Sequence, residues 1–111
     1  MAEESFYLAV SHPSRRKLLR LLQEEPNMTA SIISERLGIS KPTLSSHLRT
    51  LREAGLVVPK RAGVRIHYRV DKRALLEGVS GVLLLAGLDA AIPAVGRYDM
   101  EKGEGPRGAR L

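Results

Sequence analysis

The sequence predicts a mainly α protein with a small β-hairpin, its elements running α-α-α-α-β-β-α. Three observations carry that class. Leucines and isoleucines recur at i, i+3 and i+4 through the first half of the chain, the sign of one-sided helices at about 100° per residue. Between Leu56 and Val70 the apolar period drops from near 3.6 to near 2, as in strands. From Leu75 the longer period returns with apolar side chains on almost every side. A chain of 111 residues is expected to fold as one domain. With 43% hydrophobic but only 4% aromatic residues, its core must be built of Leu, Ile, Val and Ala.

Each element has its own start and stop. A short helix is expected within residues 3–11, ending before Pro13. The next is "HPSRRKLLRLLQEEP": Pro13 is tolerated in a first turn, Leu18, Leu21 and Leu22 share a face, and Pro26 stops it. Thr29 is the expected N-cap of "ASIISERL", in which Ile32, Ile33 and Leu37 should face inward and Gly38 should make the C-terminal turn. Ser40 then caps "KPTLSSHLRTLRE", whose Leu44, Leu48 and Leu51 form a narrow apolar face. Two helices meeting across a tight turn at Gly38 make a helix-turn-helix. Strands are expected at roughly 56–61 and 65–70, around a turn at Ala62, Gly63 and Val64. On the second, Val64, Ile66, Tyr68 and Val70 alternate with Arg65, His67 and Arg69, giving one packing face and one cationic face. Pro59 cannot donate to a ladder and suits an edge strand. The last helix should run from an Asp71 cap to Pro93, buried on most of its circumference.

Charge placement narrows the function. The net charge is +6, and Lys41 to Arg69 holds seven bases against one acid, Glu53, while the rest of the chain is balanced. A polyanion is the natural partner of such a segment, since phosphate neutralisation with counterion release drives nucleic-acid affinity. A merely solubilising basic face is the alternative on charge alone. The helix around Ser45 presents Ser46, Arg49, Thr50 and Glu53 opposite its leucines, with Thr43 and Ser45 beside them. Arg49 is the best candidate for a guanine edge, because its fork can bond O6 and N7 together.

Other chemistry fails on inventory. No cysteine is present, so disulfides, thiolate metal sites and thiol catalysis are excluded for this chain. His12, His47 and His67 stand at no metal-ligand spacing, and no metal or cofactor is expected. Ser45, Ser46 and His47 are adjacent on a helix, point about 100° apart and cannot converge as a catalytic dyad. No Gly-rich phosphate loop exists, and an enzyme is not expected. His47 lies about 60° from the leucine face, which favours a packed or capping role. The N-terminus lacks a secretory pattern and the apolar run Val82–Leu85 is too short for a membrane, so a cytoplasmic protein is expected.

The string "HPSRRKLLRLL", followed by "ISERLGISKPTLSSHLRTLREAGLVVPKRAGVRIHYRV", resembles the ArsR family of winged-helix transcriptional regulators from about Phe6 to Val70. Its most specific part is Ser-x-His-Leu-x-x-Leu-x-x-Ala-Gly-Leu-Val, Ser45 to Val57. The resemblance implies a homodimer on double-stranded operator DNA, with residues 40–52 in the major groove. It makes Lys41, Thr43, Ser45, Ser46 and Arg49 the groove contacts, and puts Arg61 and Arg65 of the wing on backbone or minor groove. Pairing through the first and last helices assigns Phe6, Tyr7, Leu76, Val79 and Leu83 to dimerisation. Beyond Gly96, "RYDMEKGEGPRGARL" has turn formers and charges without periodicity, so a domain over residues 1–96 and a disordered tail over 97–111 are expected. Thiolate-sensing relatives carry a Cys-x-Cys pair where this chain has Thr29 and Ser31, so no metal or thiol sensor is expected and any small-molecule effector is unknown. A winged helix used for protein or RNA interaction is the alternative; stacking RNA would want exposed aromatics, and only Phe6, Tyr7, Tyr68 and Tyr98 are available.

Overall fold

The structure, a computed structural model, describes residues 2–87. Its contacts divide the chain into two units, Met1–Asp71 and Lys72–Leu111. The first unit holds four helices, α1 (Ala2–Ser11), α2 (Pro13–Glu24), α3 (Ala30–Leu37) and α4 (Lys41–Glu53), with strands β1 (Met28–Thr29), β2 (Val57–Ala62) and β3 (Arg65–Val70). The second unit contributes α5 (Lys72–Leu85).

The caps explain the helix boundaries. The His12 imidazole accepts the Ser14 N–H at 3.1 Å and starts α2, with Pro13 in the first turn. Thr29 and Ser40 cap α3 and α4 by accepting the N–H groups of Ile32 and Thr43, bonds that satisfy otherwise orphaned helix donors. Gly38 closes α3 in the left-handed region at φ +66°, and the Ser34 hydroxyl donates to the Ile39 carbonyl at 2.6 Å. The helix-turn-helix bend is therefore held from both sides. Leu18, Leu22, Ile33, Leu44, Leu51 and Leu56 are its fully buried centre.

Four expectations about this unit are corrected. The sheet has three strands in the order β1-β3-β2, all antiparallel. The two residues Met28 and Thr29 pair with Tyr68 and His67, and they were invisible as a strand because two residues have no period. Pro59 does lie on an edge strand, β2. Ile32, expected inward, is 43% exposed, and Val64 is 97% exposed at the hairpin tip. The hairpin turn is the pair Gly63-Val64, with positive φ at Gly63 only, matching the primed turn that places glycine first.

α5 is shorter and barer than its sequence suggests. It ends at Leu85, followed by Gly87 at φ +71°, a left-handed residue of the kind that closes helices. None of its side chains is buried in the single chain, and Val82, Leu84 and Leu85 are exposed. The expected continuation to Pro93 and the tail over 97–111 lie outside the described residues. Phe6, expected at a dimer contact, is 7% exposed and belongs to the core of the single chain. Among the described residues no helix is long and apolar enough to cross a membrane.

Candidate nucleic-acid interface

Helix α4 sorts its side chains by angle. Leu44, Leu48 and Leu51 are buried, whereas Lys41, Thr43, Ser45, Ser46 and Arg49 are all exposed. The exposed residues form two stripes. Lys41, Ser45, Arg49 and Arg52 line a groove whose other wall is Pro59 and Tyr68 of the hairpin, so one flank of α4 looks along the base of the wing. Thr43, Ser46 and Thr50 follow the other flank at helical spacing. Local bonds hold part of this surface in place: the Ser40 hydroxyl donates to Thr43 Oγ1 at 2.9 Å, and Thr50 donates to the Ser46 carbonyl at 3.2 Å. Arg49 Nε donates to Glu53 Oε1 at 3.0 Å, an i, i+4 ion pair exposed on both sides.

The hairpin register separates the two wing arginines. Arg61 stands opposite Ile66, and Arg65 opposite Ala62. Directly opposed residues share a face, so Arg61 lies with Val57, Pro59, Tyr68 and Val70, whereas Arg65 lies with Lys60, His67 and Arg69. The wing thus carries cations on both faces near its tip. Its cationic face is a cross-strand row of Lys60, Arg65 and Arg69, all exposed.

α4 is fastened to the first two helices by a buried polar cluster. Arg15 of α2 is 9% exposed, donating from Nε to the Ala9 carbonyl at 2.9 Å and from Nη2 to the Leu8 carbonyl at 2.7 Å. These are carbonyls of the last turn of α1, where a cation is favoured by the helix dipole. Its Nη1 lies 3.3 Å from Nδ1 of His47. An arginine can only donate, so the neutral His47 tautomer that fits carries its hydrogen on Nε2. The His12 ring stands 4.7 Å from that of His47. Burial first, then the charges of His12 and Arg15, push the His47 pKa below its ordinary range. His47 is a packed link between helices, as its angle implied.

With this geometry in hand, the chain compares with known proteins as follows. The family model for "Bacterial regulatory protein, arsR family" matches residues 12–58. The transcriptional repressor SdpR of Bacillus subtilis is 38% identical over 77 residues, covering 69% of this chain and 84% of SdpR. The chain belongs to the arsR family. A crystal structure of a possible transcriptional regulator for arsenical resistance superposes with a TM-score of 0.67 at 28% identity, covering 80% of this chain and 94% of that one. The solution structure of a homodimeric winged helix-turn-helix DNA-binding domain from Mycobacterium bovis has the same fold, with a TM-score of 0.63 at 24% identity over 78% of this chain and 79% of that one. The family match spans α2 to the start of β2, the part of the chain that carries the α4 surface.

Arg52, exposed and lining the same groove as Lys41, Ser45 and Arg49, is a further candidate beyond those expected from the sequence. Its spacing from Lys41, Ser45 and Arg49 puts it on the same helical stripe, a signal open to inspection. The alternation along the second strand already put Arg69 on the face of Arg65, whereas Lys60 joins them only through the register that sets it opposite His67.

Proposed function

We propose that this arsR-family regulator is a transcriptional repressor that binds operator DNA as a homodimer, in the cytoplasm. Helix α4 enters the major groove, and the hairpin is the wing on backbone or minor groove. The observation that carries the reading is the separation on α4: all three leucines are buried, and Lys41, Thr43, Ser45, Ser46 and Arg49 stand exposed with the cationic hairpin beside them. In this reading Arg49 contacts a base edge and the serines and Lys41 contact bases or phosphates. Arg61 and Arg65, lying on opposite faces of the wing, meet phosphates on either side of it. Lys60, Arg69 and Arg52 add to the electrostatic footprint.

The homodimer reading is supported by α5. Its Leu76, Val79 and Leu83 are only half-buried and Val82, Leu84 and Leu85 exposed, an apolar surface that water disfavours. Tyr7 of α1, half-buried, is a second candidate contact. Phe6 supports α1 from within and is dropped as a direct contact.

Selection of binding sites from random duplexes, followed by anisotropy titration of the selected site against a scrambled one, tests the function. A two-fold symmetric site is expected, with half-sites about 34 Å apart or a multiple of it. Equal affinity for selected and scrambled duplexes would overturn the operator reading, and a preference for single-stranded RNA would replace it.

A further inference from the structure

We infer that Glu53 is a positioning residue for DNA readout: it holds the Arg49 guanidinium in the orientation that reads a guanine, at the expense of affinity for DNA in general. The inference rests on the base-reading role proposed above for Arg49. Glu53 is the one acid between Lys41 and Arg69, and it pairs with Arg49, the residue best suited to a base edge, at 3.0 Å.

Helix stability does not account for this pair. Glu53 is the last residue of α4, where the negative end of the helix dipole disfavours a carboxylate. The order of the pair, arginine before glutamate at i, i+4, is also the weaker orientation. With side-chain exposures of 81% and 66%, the two groups stand in water, where such a pair contributes little. On a surface facing phosphates a carboxylate further opposes binding. What the pair does provide is geometry. The bond consumes Nε, the donor on the side edge of the guanidinium, and leaves the two Nη groups as the end-on fork that matches O6 and N7 of guanine. Inside a groove, with water displaced, the Arg49–Glu53 bond strengthens and an Arg49 swung toward a phosphate would have to break it. Glu53 therefore sets the balance between base reading and phosphate clamping.

A double-mutant cycle on the selected operator tests this, with Glu53→Gln, Glu53→Asp, Arg49→Ala and the Arg49→Ala/Glu53→Gln pair. Anisotropy competition measures affinity for the operator, for duplexes changed at each position and for a random duplex. Glu53→Gln is expected to raise random-duplex affinity and to lower discrimination at the Arg49 position by about three- to fivefold, the scale of one surface ion pair. Glu53→Asp keeps the charge but shortens the reach, so it should lose discrimination without gaining random-duplex affinity. In the Arg49→Ala background, Glu53→Gln should leave discrimination unchanged. If Arg49→Ala relaxes one position while Glu53→Gln relaxes none, the positioning role is wrong and the base-reading role stands. If Arg49→Ala relaxes no position, both fall.

Discussion

Replacing Arg15 by Met removes the charge but keeps most of the packing volume, and tests whether the buried link between α1 and α4 stabilises the fold. Three interactions are lost: the bonds to Leu8 and Ala9 and the approach to His47. Hydrogen bonds from a charged donor contribute about 1.5–3 kcal/mol each. The Leu8 carbonyl keeps the Ser11 hydroxyl as a donor at 2.8 Å, whereas Ala9 is fully buried, and its carbonyl would lose its guanidinium donor. Against these losses, methionine spares the desolvation of a guanidinium, which offsets part of the loss. The net destabilisation is about 2–4 kcal/mol, and at about 4–8 °C per kcal/mol for a domain of this size the midpoint should fall by roughly 10–30 °C. The assay is urea and thermal unfolding at one fixed protein concentration, because dimerisation makes apparent stability concentration-dependent. Arg16→Ala is the control: Arg16 makes a similar bond, to the Val10 carbonyl at 2.7 Å, but is exposed, so it should change stability by less than about 0.5 kcal/mol. Equal effects of the two substitutions would refute the assignment of stability to the buried cluster.

The remaining predictions follow from other parts of the molecule. His47 has a folded pKa below its ordinary 6.5, so the unfolded chain binds more protons between the two values; its stability contribution is complete above pH 6.5 and is lost as pH falls through that interval. His47→Gln should flatten the acid limb of stability against pH, and an unchanged limb would show that other groups set it. Arg49→Ala should cost about 1–3 kcal/mol at one base position per half-site, whereas Arg65→Ala should weaken all duplexes alike and flatten the salt dependence; identical behaviour would erase the distinction between reader and clamp. Leu83→Glu places a charge on the apolar surface of α5 and should yield monomer in sedimentation. Operator binding should be indifferent to arsenite, cadmium and oxidants, which act on thiolates that this chain lacks; release of DNA by any of them would overturn the expectation.

Most of the fold was legible because α2, α3 and α4 combine a one-sided apolar stripe with caps that are residue-specific: Thr29, Gly38 and Ser40 each occupy the position their chemistry suggests. What escaped was non-local. Met28–Thr29 becomes a strand only because Tyr68 and His67 lie alongside it. Arg15 reads as one more exposed base in "SRRK", and nothing local shows that it turns inward to the end of α1 while Arg16 stays out. The exposed face of α4 was legible from angle alone, and so was His47 as a packed side chain. The division of the wing arginines between two faces depends on a register that the turn sets: a two-residue loop at Gly63-Val64 pairs Ala62 with Arg65, whereas the three-residue turn expected from sequence would have shifted every partner.

The arrangement of α4 also explains why stability and DNA reading should separate in experiments. A helix in contact on every side could not be altered for one purpose without the other. Here the leucines lie at one angle, His47 at its edge against Arg15, and Arg49 with Glu53 on the far side. A change at Arg15 acts through the seat of the helix, so it should lower stability and weaken all DNA alike, by tilting or freeing the whole reading surface. A change at Arg49 or Glu53 touches groups surrounded by water, so the free protein should melt as before while its preference among duplexes changes. If Arg15→Met, at a temperature where it is folded, altered preference at a single base position, this separation by angle would fail, and the buried cluster would have to be counted as part of the reading surface itself.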